Sequence, residues 1–135
     1  LDPDTTPEHL VRAVLEGVAF ALAEAGECLA DGGVLPPRLA VIGGGSRSRL
    51  WMRILASVLD RPLVRYAGAE SGPAFGAARL ARLCVSGEPP RALCRTPEVL
   101  DTVSPDPTWV ERYRAGGLRF RRLYRTLAAE FRAGG

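Results

Sequence analysis

Leu39-Ala-Val-Ile-Gly-Gly-Gly-Ser-Arg-Ser-Arg49 is the stretch of this sequence that decides the fold. A short apolar run breaks into three glycines, and a serine then opens a helix. Glycine lets the backbone turn sharply and approach a ligand closely. Amides at the N-terminus of a helix attract negatively charged, oxygen-rich groups. The stretch predicts a strand, a tight turn and a helix, and it leaves open whether the turn binds a nucleotide or only connects two elements.

The composition predicts one soluble domain. With 47% apolar residues in 135, the chain has enough material for a core. The long apolar segment 10–29 is interrupted by charged residues, so we expect no membrane span; they are Arg12, Glu16, Glu24 and Glu27. No pattern typical of a secretory leader is present. The cysteines form no CxxC motif, so we expect a cytoplasmic protein with reduced, buried thiols; they are Cys28, Cys84 and Cys94.

The basic residues exclude several kinds of chemistry. All 18 of them are arginine, and the chain has no lysine. A Walker-type phosphate loop requires its lysine, and Schiff-base catalysis requires a lysine amine. His9 is the only histidine, and it lies in the first turn of a predicted helix without a nucleophile partner. Zinc sites and histidine-based triads are therefore not expected.

The arginines near the C-terminus have two interpretations. Seven arginines lie between Pro107 and Arg132, and a basic helix face can follow nucleic-acid phosphates. The first helix, however, is acidic at Glu8, Glu16, Glu24 and Glu27. Complementary charge between the two helices is the stronger interpretation, because the aromatic residues of the last helix also lie at core spacing, so nucleic acid is not an expected partner.

Hydrophobic periodicity predicts strands that alternate with helices. We expect a first helix from Thr6-Pro7 to about Ala30, with apolar residues on two sides and hence a place between two layers. Two short strands, about 39–42 and 63–66, should pair in parallel. The other expected elements are a helix capped by Ser46 or Ser48 and ending at Asp60, a loop over 68–72, a helix ending near Ser86-Gly87, an irregular connector over 88–107, and a long final helix from Pro107 that is weakest at Gly116-Gly117.

A dinucleotide-binding fingerprint is only partly present. The GxGxxG pattern begins at Gly43 and Gly45 but has Ser48 in place of the third glycine. Glu70 lies somewhat late for the acid that binds a ribose. A Rossmann-like binding module therefore remains an alternative with an imperfect motif.

Three segments, taken in order, resemble the C-terminal part of the FGGY family of carbohydrate kinases, and especially its members that act on D-xylulose. They are Leu10-Val-Arg-Ala-Val-Leu-Glu-Gly-Val-Ala-Phe20, Ile42-Gly-Gly-Gly-Ser-Arg-Ser-Arg-Leu-Trp51 and Glu70-Ser-Gly-Pro-Ala-Phe-Gly-Ala-Ala-Arg-Leu80. Phe120-Arg-Arg-Leu-Tyr124, near the end of the chain, is also similar. The resemblance implies an α/β fold: part of an actin-like, ribonuclease-H-like ATPase lobe with two short parallel strands, flanking helices and a long C-terminal helix.

The resemblance also implies a reaction and a site. ATP and D-xylulose would give ADP and D-xylulose 5-phosphate, with Mg²⁺ required. The triple glycine would be the adenosine motif, in which backbone groups of Gly43, Gly44 and Gly45 contact the nucleotide. Ser46 and Arg49 would open the following helix beside the adenine and ribose. The helix that contains Gly76-Ala77-Ala78 would connect domains and slide as they close.

Whole members of this family are several times longer than this chain. By resemblance, the catalytic aspartate, the first phosphate loop, the magnesium ligands and the sugar pocket lie upstream. We therefore expect no catalytic or metal-binding residue here, negligible kinase activity from the chain alone, and sugar binding only through an N-terminal part. A noncatalytic interaction domain remains a further alternative.

The expected lobe normally begins with a three-strand meander that this chain lacks. Strand 39–42 would then have an open edge, and open apolar edges recruit other strands. We expect self-association into a homo-oligomer, or marginal stability. A membrane is not an expected partner.

Overall fold

A short mixed sheet carries helices on its faces in the computed structural model, which describes residues 2–33 and 36–133. Across those residues the helices are α1 Pro7–Asp31, α2 Arg49–Leu59, α3 Gly72–Ser86, α4 Pro90–Leu93 and α5 Pro107–Ala133, and the strands are β1 Leu39–Ala40, β2 Leu63–Tyr66 and β3 Val99–Val103. In the part of the chain that is described, no helix is both long and apolar enough to cross a membrane.

Strand β1 pairs in parallel with β2, as the sequence predicts, with Leu39 opposite Leu63. The predicted strand 39–42 is too long, because β1 ends at Ala40. One further bond, from the Val41 amide to the Val64 carbonyl at 3.1 Å, continues the pairing. The backbone then turns away from β2 into the triple glycine.

The prediction of an irregular connector over 88–107 is wrong in part, because this segment contains α4 and β3. Strand β3 pairs antiparallel with β2, so the described sheet has three strands rather than two. Arg65 donates two hydrogen bonds to Asp101 across this pair, at 3.0 and 2.7 Å. Pro97 and Pro105 lie outside β3, where they remove no donor from the ladder.

Helix α2 forms the centre of the core. Ser48, rather than Ser46, caps its N-terminus by accepting a hydrogen bond from the Trp51 amide at 3.2 Å. Asp60 ends the helix in the left-handed conformation, with φ 50°. Its apolar face packs between the sheet, α1 and α5. The main cluster of buried residues comprises Ala19, Met52, Ile54, Leu55, Ala56, Leu63 and Tyr113.

Helix α1 begins with a reciprocal cap. The His9 amide donates to Thr6 Oγ1 at 3.4 Å, and the Thr6 amide donates to His9 Nδ1 at 3.3 Å, so His9 is an exposed capping residue. The helix packs through the side that carries Ala19 and Phe20.

The opposite side of α1 is an exposed apolar stripe, so the prediction that α1 lies between two layers is wrong for the described residues, which cover only one side. The α1 stripe consists of Leu10, Val11, Val14, Val18, Leu22 and Leu29. A groove of about 730 Å³ lies next to it, between α1, β1 and α2. Since β1 is at the end of the described sheet, this groove runs along an open strand edge.

The prediction of buried thiols is wrong as well. Cys28, Cys84 and Cys94 are all free and exposed. They lie on α1, on α3 and just after α4. The described core is built around α2 and does not reach these positions.

Helices α1 and α5 cross at Phe20. A Cβ atom on Gly116 would lie 2.9 Å from Phe20 Cζ, so the absence of a side chain lets the ring seat against the helix. Phe20 also packs against Tyr113 and Phe120, with centroid distances of 5.9 and 5.7 Å. Helix α5 continues across Gly116-Gly117, where the sequence predicts a weak point, and the ring supplies the packing there.

Complementary charge joins the same two helices at Arg121, and the interpretation of the arginines is confirmed for that residue. Arg121 contacts Glu24 at 2.9 Å and Glu27 at 2.7 Å. The buried Tyr113 hydroxyl donates to Glu16 at 2.9 Å and accepts from Arg12 at 3.1 Å. Burial raises the pKa of the Tyr113 hydroxyl above its ordinary value, so it remains a neutral donor.

Asp106 fixes the start of α5. Its Oδ1 accepts from the Thr108 amide at 3.0 Å, and its own amide donates to Ser57 Oγ at 3.1 Å. The Arg53 guanidinium, with help from Thr108, holds the pKa of the Asp106 carboxyl at about 2. The charged cap therefore persists over the whole range of pH in which proteins normally work.

Gly116→Ala and Gly117→Ala form a matched pair that tests the α1–α5 crossing. Alanine favours a helix interior over glycine by about 1 kcal/mol. At Gly117 the new Cβ would meet Phe20 at 3.7 Å, an ordinary contact, so we expect a gain in stability. At Gly116 the ring must move, and overpacking costs about 1–3 kcal/mol. In urea unfolding, the free energy of unfolding of Gly116→Ala should be lower than that of Gly117→Ala by at least about 1 kcal/mol. Equal free energies would contradict the packing of Phe20 on Gly116.

Self-association through the α1 stripe and the open edge of β1 is the second prediction. We expect light scattering to give a mass above that of the monomer, rising with protein concentration. Leu22→Glu places a charge in the groove and should shift the population toward monomer. Leu118→Glu, at a residue 68% exposed on α5, is the matched control and should not. A monomer at every concentration would refute the prediction.

Candidate functional site

The triple glycine lies where the two parallel strands end. After β1 the chain forms a short helical turn, Gly44–Arg47, and after β2 it forms another, Ala69–Ser71. The Gly43 amide donates to the Ala69 carbonyl at 2.7 Å and joins the two turns. Ligands of α/β sheets bind outside the carboxyl ends of parallel strands, so this edge is the candidate site.

Gly43 and Ser46 hold the first turn in shape. Gly43 has φ +90°, a conformation that glycine adopts at little cost and other residues rarely adopt. Ser46 is buried, and its hydroxyl donates to the Gly43 carbonyl at 2.8 Å. Its amide donates to the same carbonyl at 3.1 Å. The Ser46 hydroxyl therefore points into the turn, away from any ligand above it.

Gly44 and Gly45 form the open part of the turn. Both are exposed, and a Cβ atom on Gly44 would meet nothing within 4 Å. Neither amide donates to a backbone carbonyl among the residues that the structure describes. These two N–H groups are therefore backbone donors of the turn without a described backbone acceptor.

Arg49 is the first residue of α2 and is exposed. It lies close enough to β3 for its charge to act on Asp101. Hydrogen bonds from Arg65, and more weakly the charge of Arg49, hold the pKa of the Asp101 carboxyl below its ordinary value.

Two contributions to this site depend on contacts that the sequence alone does not show, although it predicts a loop over 68–72. The first is the turn Ala69–Ser71, which brings the exposed Glu70 next to Gly43. Gly72 then packs closely on Ile42, since a Cβ atom there would lie 3.0 Å from Ile42 Cβ. The second is Trp51, whose indole touches Gly45. The glycines at 68 and 72 are the signal that could have indicated the second turn.

The candidate site is separate from the two cavities that border α1. The groove of about 730 Å³ and a smaller cavity of about 360 Å³ between α1, α2 and α5 are lined by residues outside 43–49. Within residues 2–33 and 36–133, no group of three or more His, Cys, Asp or Glu side chains could hold a metal ion. The chemistry that this edge offers is hydrogen bonding from neutral backbone amides.

Comparison with known proteins assigns the chain to a family. Residues 1–83 match the FGGY family of carbohydrate kinases, C-terminal domain. A xylulose kinase of Escherichia coli (strain K12) is 38% identical over 124 residues, which cover 90% of this chain and 25% of that protein. A glycerol kinase of Bordetella parapertussis is 44% identical over 82 residues, or 60% of this chain and 16% of that protein.

The fold of a solved relative agrees. The crystal structure of a xyloylose kinase from Brucella ovis superposes with a TM-score of 0.81 at 34% identity, and the match covers 96% of this chain and 27% of that one. The chain spans about a quarter of the length of the curated xylulose kinases of Escherichia coli and Klebsiella pneumoniae. The chain belongs to the FGGY family of carbohydrate kinases, and its sequence is that of a C-terminal domain of the xylulose-kinase-like type.

Proposed function

We propose that this chain supplies the adenosine-binding part of an ATP-dependent sugar kinase. The observation that carries the proposal is that Gly44 and Gly45 are exposed and that their N–H groups donate to no described backbone carbonyl. They lie at the carboxyl ends of two parallel strands in a chain of this kinase family. Backbone amides without a side chain above them let the adenosine part of a nucleotide approach closely.

Each expected site residue takes a distinct part in this proposal. Gly43 and Ser46 shape the turn from within, through the bonds to the Gly43 carbonyl. Gly44 and Gly45 contact the nucleotide through their backbone. Arg49 stands at the exposed start of α2, beside the ribose. The donors are neutral, and the chain has no lysine, which suits a nucleoside better than a transferring phosphoryl group.

Mg²⁺ does not fit the residues that the structure describes. The described residues include no carboxylate cluster that could hold it. Phosphoryl transfer depends on positioning and on stabilising charge at the phosphates, and we assign both tasks to other parts of a whole kinase. This chain binds and orients the nucleotide, and it supplies no catalytic group.

D-Xylulose is the substrate that we propose for the whole kinase, with D-xylulose 5-phosphate as its product. The support is the extent of the likeness, since the xylulose kinase of Escherichia coli matches 90% of the chain. Glycerol is the second candidate, because the glycerol kinase of Bordetella parapertussis is more identical, at 44%, over a shorter stretch.

Titration of the chain with ADP tests the binding proposal. We expect saturable shifts of the Gly44 and Gly45 amide resonances in NMR spectra, because ligand oxygens would accept their hydrogen bonds. The amide of Gly26, inside α1, is the internal control and should not move. NAD should give no comparable shifts. Equal binding of NAD would favour a Rossmann-like module, and no nucleotide binding at all would favour a noncatalytic interaction domain.

A turnover assay tests whether the catalytic groups of the kinase lie outside this chain. The 135-residue chain with ATP, Mg²⁺ and D-xylulose should form no ADP above the uncatalysed background. The Escherichia coli xylulose kinase, assayed beside it, serves as the positive control. Turnover of the chain at a rate similar to that control would overturn the proposal that catalytic groups lie outside it.

A further inference from the structure

The indole of Trp51 lies directly against the open part of the triple-glycine turn. A Cβ atom on Gly45 would lie 3.2 Å from both Cδ1 and Nε1 of this ring. Real Cβ contacts are seldom this short, so the indole fills space that a side chain at residue 45 would need. A side chain at residue 45 would therefore require the indole to shift by a few tenths of an ångström.

The backbone and ring of Trp51 are both held in place. Its amide donates a hydrogen bond to Ser48 Oγ at 3.2 Å, which fixes the first turn of α2. Its half-buried ring packs on the main core cluster. The indole is therefore held by the core on one side and touches the turn on the other.

The turn has few other constraints at this point. Gly43 is tied to Ala69, and Ser46 is tied back to Gly43. Between these fixed ends, the amides of Gly44 and Gly45 donate to no described backbone carbonyl. A Cβ atom on Gly44 would meet nothing within 4 Å, so the indole is the close side-chain contact of the open segment.

We propose that Trp51 is a positioning residue that aims the Gly44 and Gly45 amides at the nucleotide. This inference rests on the proposed function of the turn. Trp51 acts through the backbone of Gly45, since the indole limits where that peptide can move. Loss of the ring leaves the donors in place but lets their direction vary, which weakens nucleotide binding.

A double-mutant cycle tests the coupling. Trp51→Leu removes the ring, and Gly45→Ala displaces it with a new Cβ atom. We expect each change alone to weaken ADP binding by about tenfold. Because residues in contact are energetically coupled, the two losses should not add. The double variant should bind no more weakly than Trp51→Leu, because the methyl group that Gly45→Ala adds has no indole to displace once the ring is gone. The dissociation constants come from NMR or calorimetric titration, and urea unfolding is measured in parallel.

Two further variants separate positioning from general stability. Trp109→Phe removes the other indole, which lies on α5 over the guanidiniums of Arg12 and Arg53 at 4.6 and 4.2 Å. It should lower stability without changing ADP affinity. It also leaves Trp51 as the one tryptophan, whose emission should change saturably with ADP. Trp51→Phe keeps an aromatic ring and should restore part of the affinity lost in Trp51→Leu.

The outcomes distinguish the two proposals. If the unaltered chain binds no ADP, the proposed function fails and the role of Trp51 fails with it. If the unaltered chain binds ADP but Trp51→Leu and Gly45→Ala bind it equally well, only the role of Trp51 is refuted. Additive losses in the double variant would refute the coupling through Gly45. Should Trp51→Leu not fold, Gly45→Ala and Trp51→Phe still decide the question.

Discussion

Parallel pairing of β1 with β2 is the constraint on which the rest of this structure depends. Parallel strands must end at the same edge of the sheet, so the turns after them meet, and the bond from Gly43 to Ala69 can form. The same pairing forces the chain to cross the face of the sheet between the strands. Helix α2 makes that crossing, and its burial between the sheet, α1 and α5 creates the core. The parallel pairing of β1 with β2 therefore determines the positions of both the candidate site and the core.

Local signals in the sequence predict much of this fold. The cap at Thr6, the serine before α2, the glycine after α3 and the parallel strands all depend on nearby residues, and each is present. Strand β3 was missed because its partner, β2, is distant in sequence and because prolines flank it. The exposure of the cysteines and of the α1 stripe was missed because burial depends on which elements meet. A periodic pattern alone does not contain that information.

The candidate site likewise has one part that the sequence predicts and another that depends on tertiary contacts. The glycines could be predicted from the sequence, because a tight turn needs them wherever the rest of the chain lies. The hydroxyl of Ser46 that bonds within the turn and the indole against Gly45 could not, since each depends on a contact made in three dimensions. For the segment 68–72 the sequence predicts a loop, but not its helical turn or its hydrogen bond to Gly43. Under the proposed function, the motif would mark where a nucleotide binds, and the tertiary contacts would limit how far its donors can move.

Phe20 and Gly116 have a consequence for how this sequence can change. The ring on α1 occupies the space that any side chain at residue 116 would need, so neither position can vary freely without the other. A smaller residue at 20 would open a void that a larger residue at 116 could fill. The two positions are far apart in the chain, yet they should vary together, because the residue at one limits the residues that fit at the other.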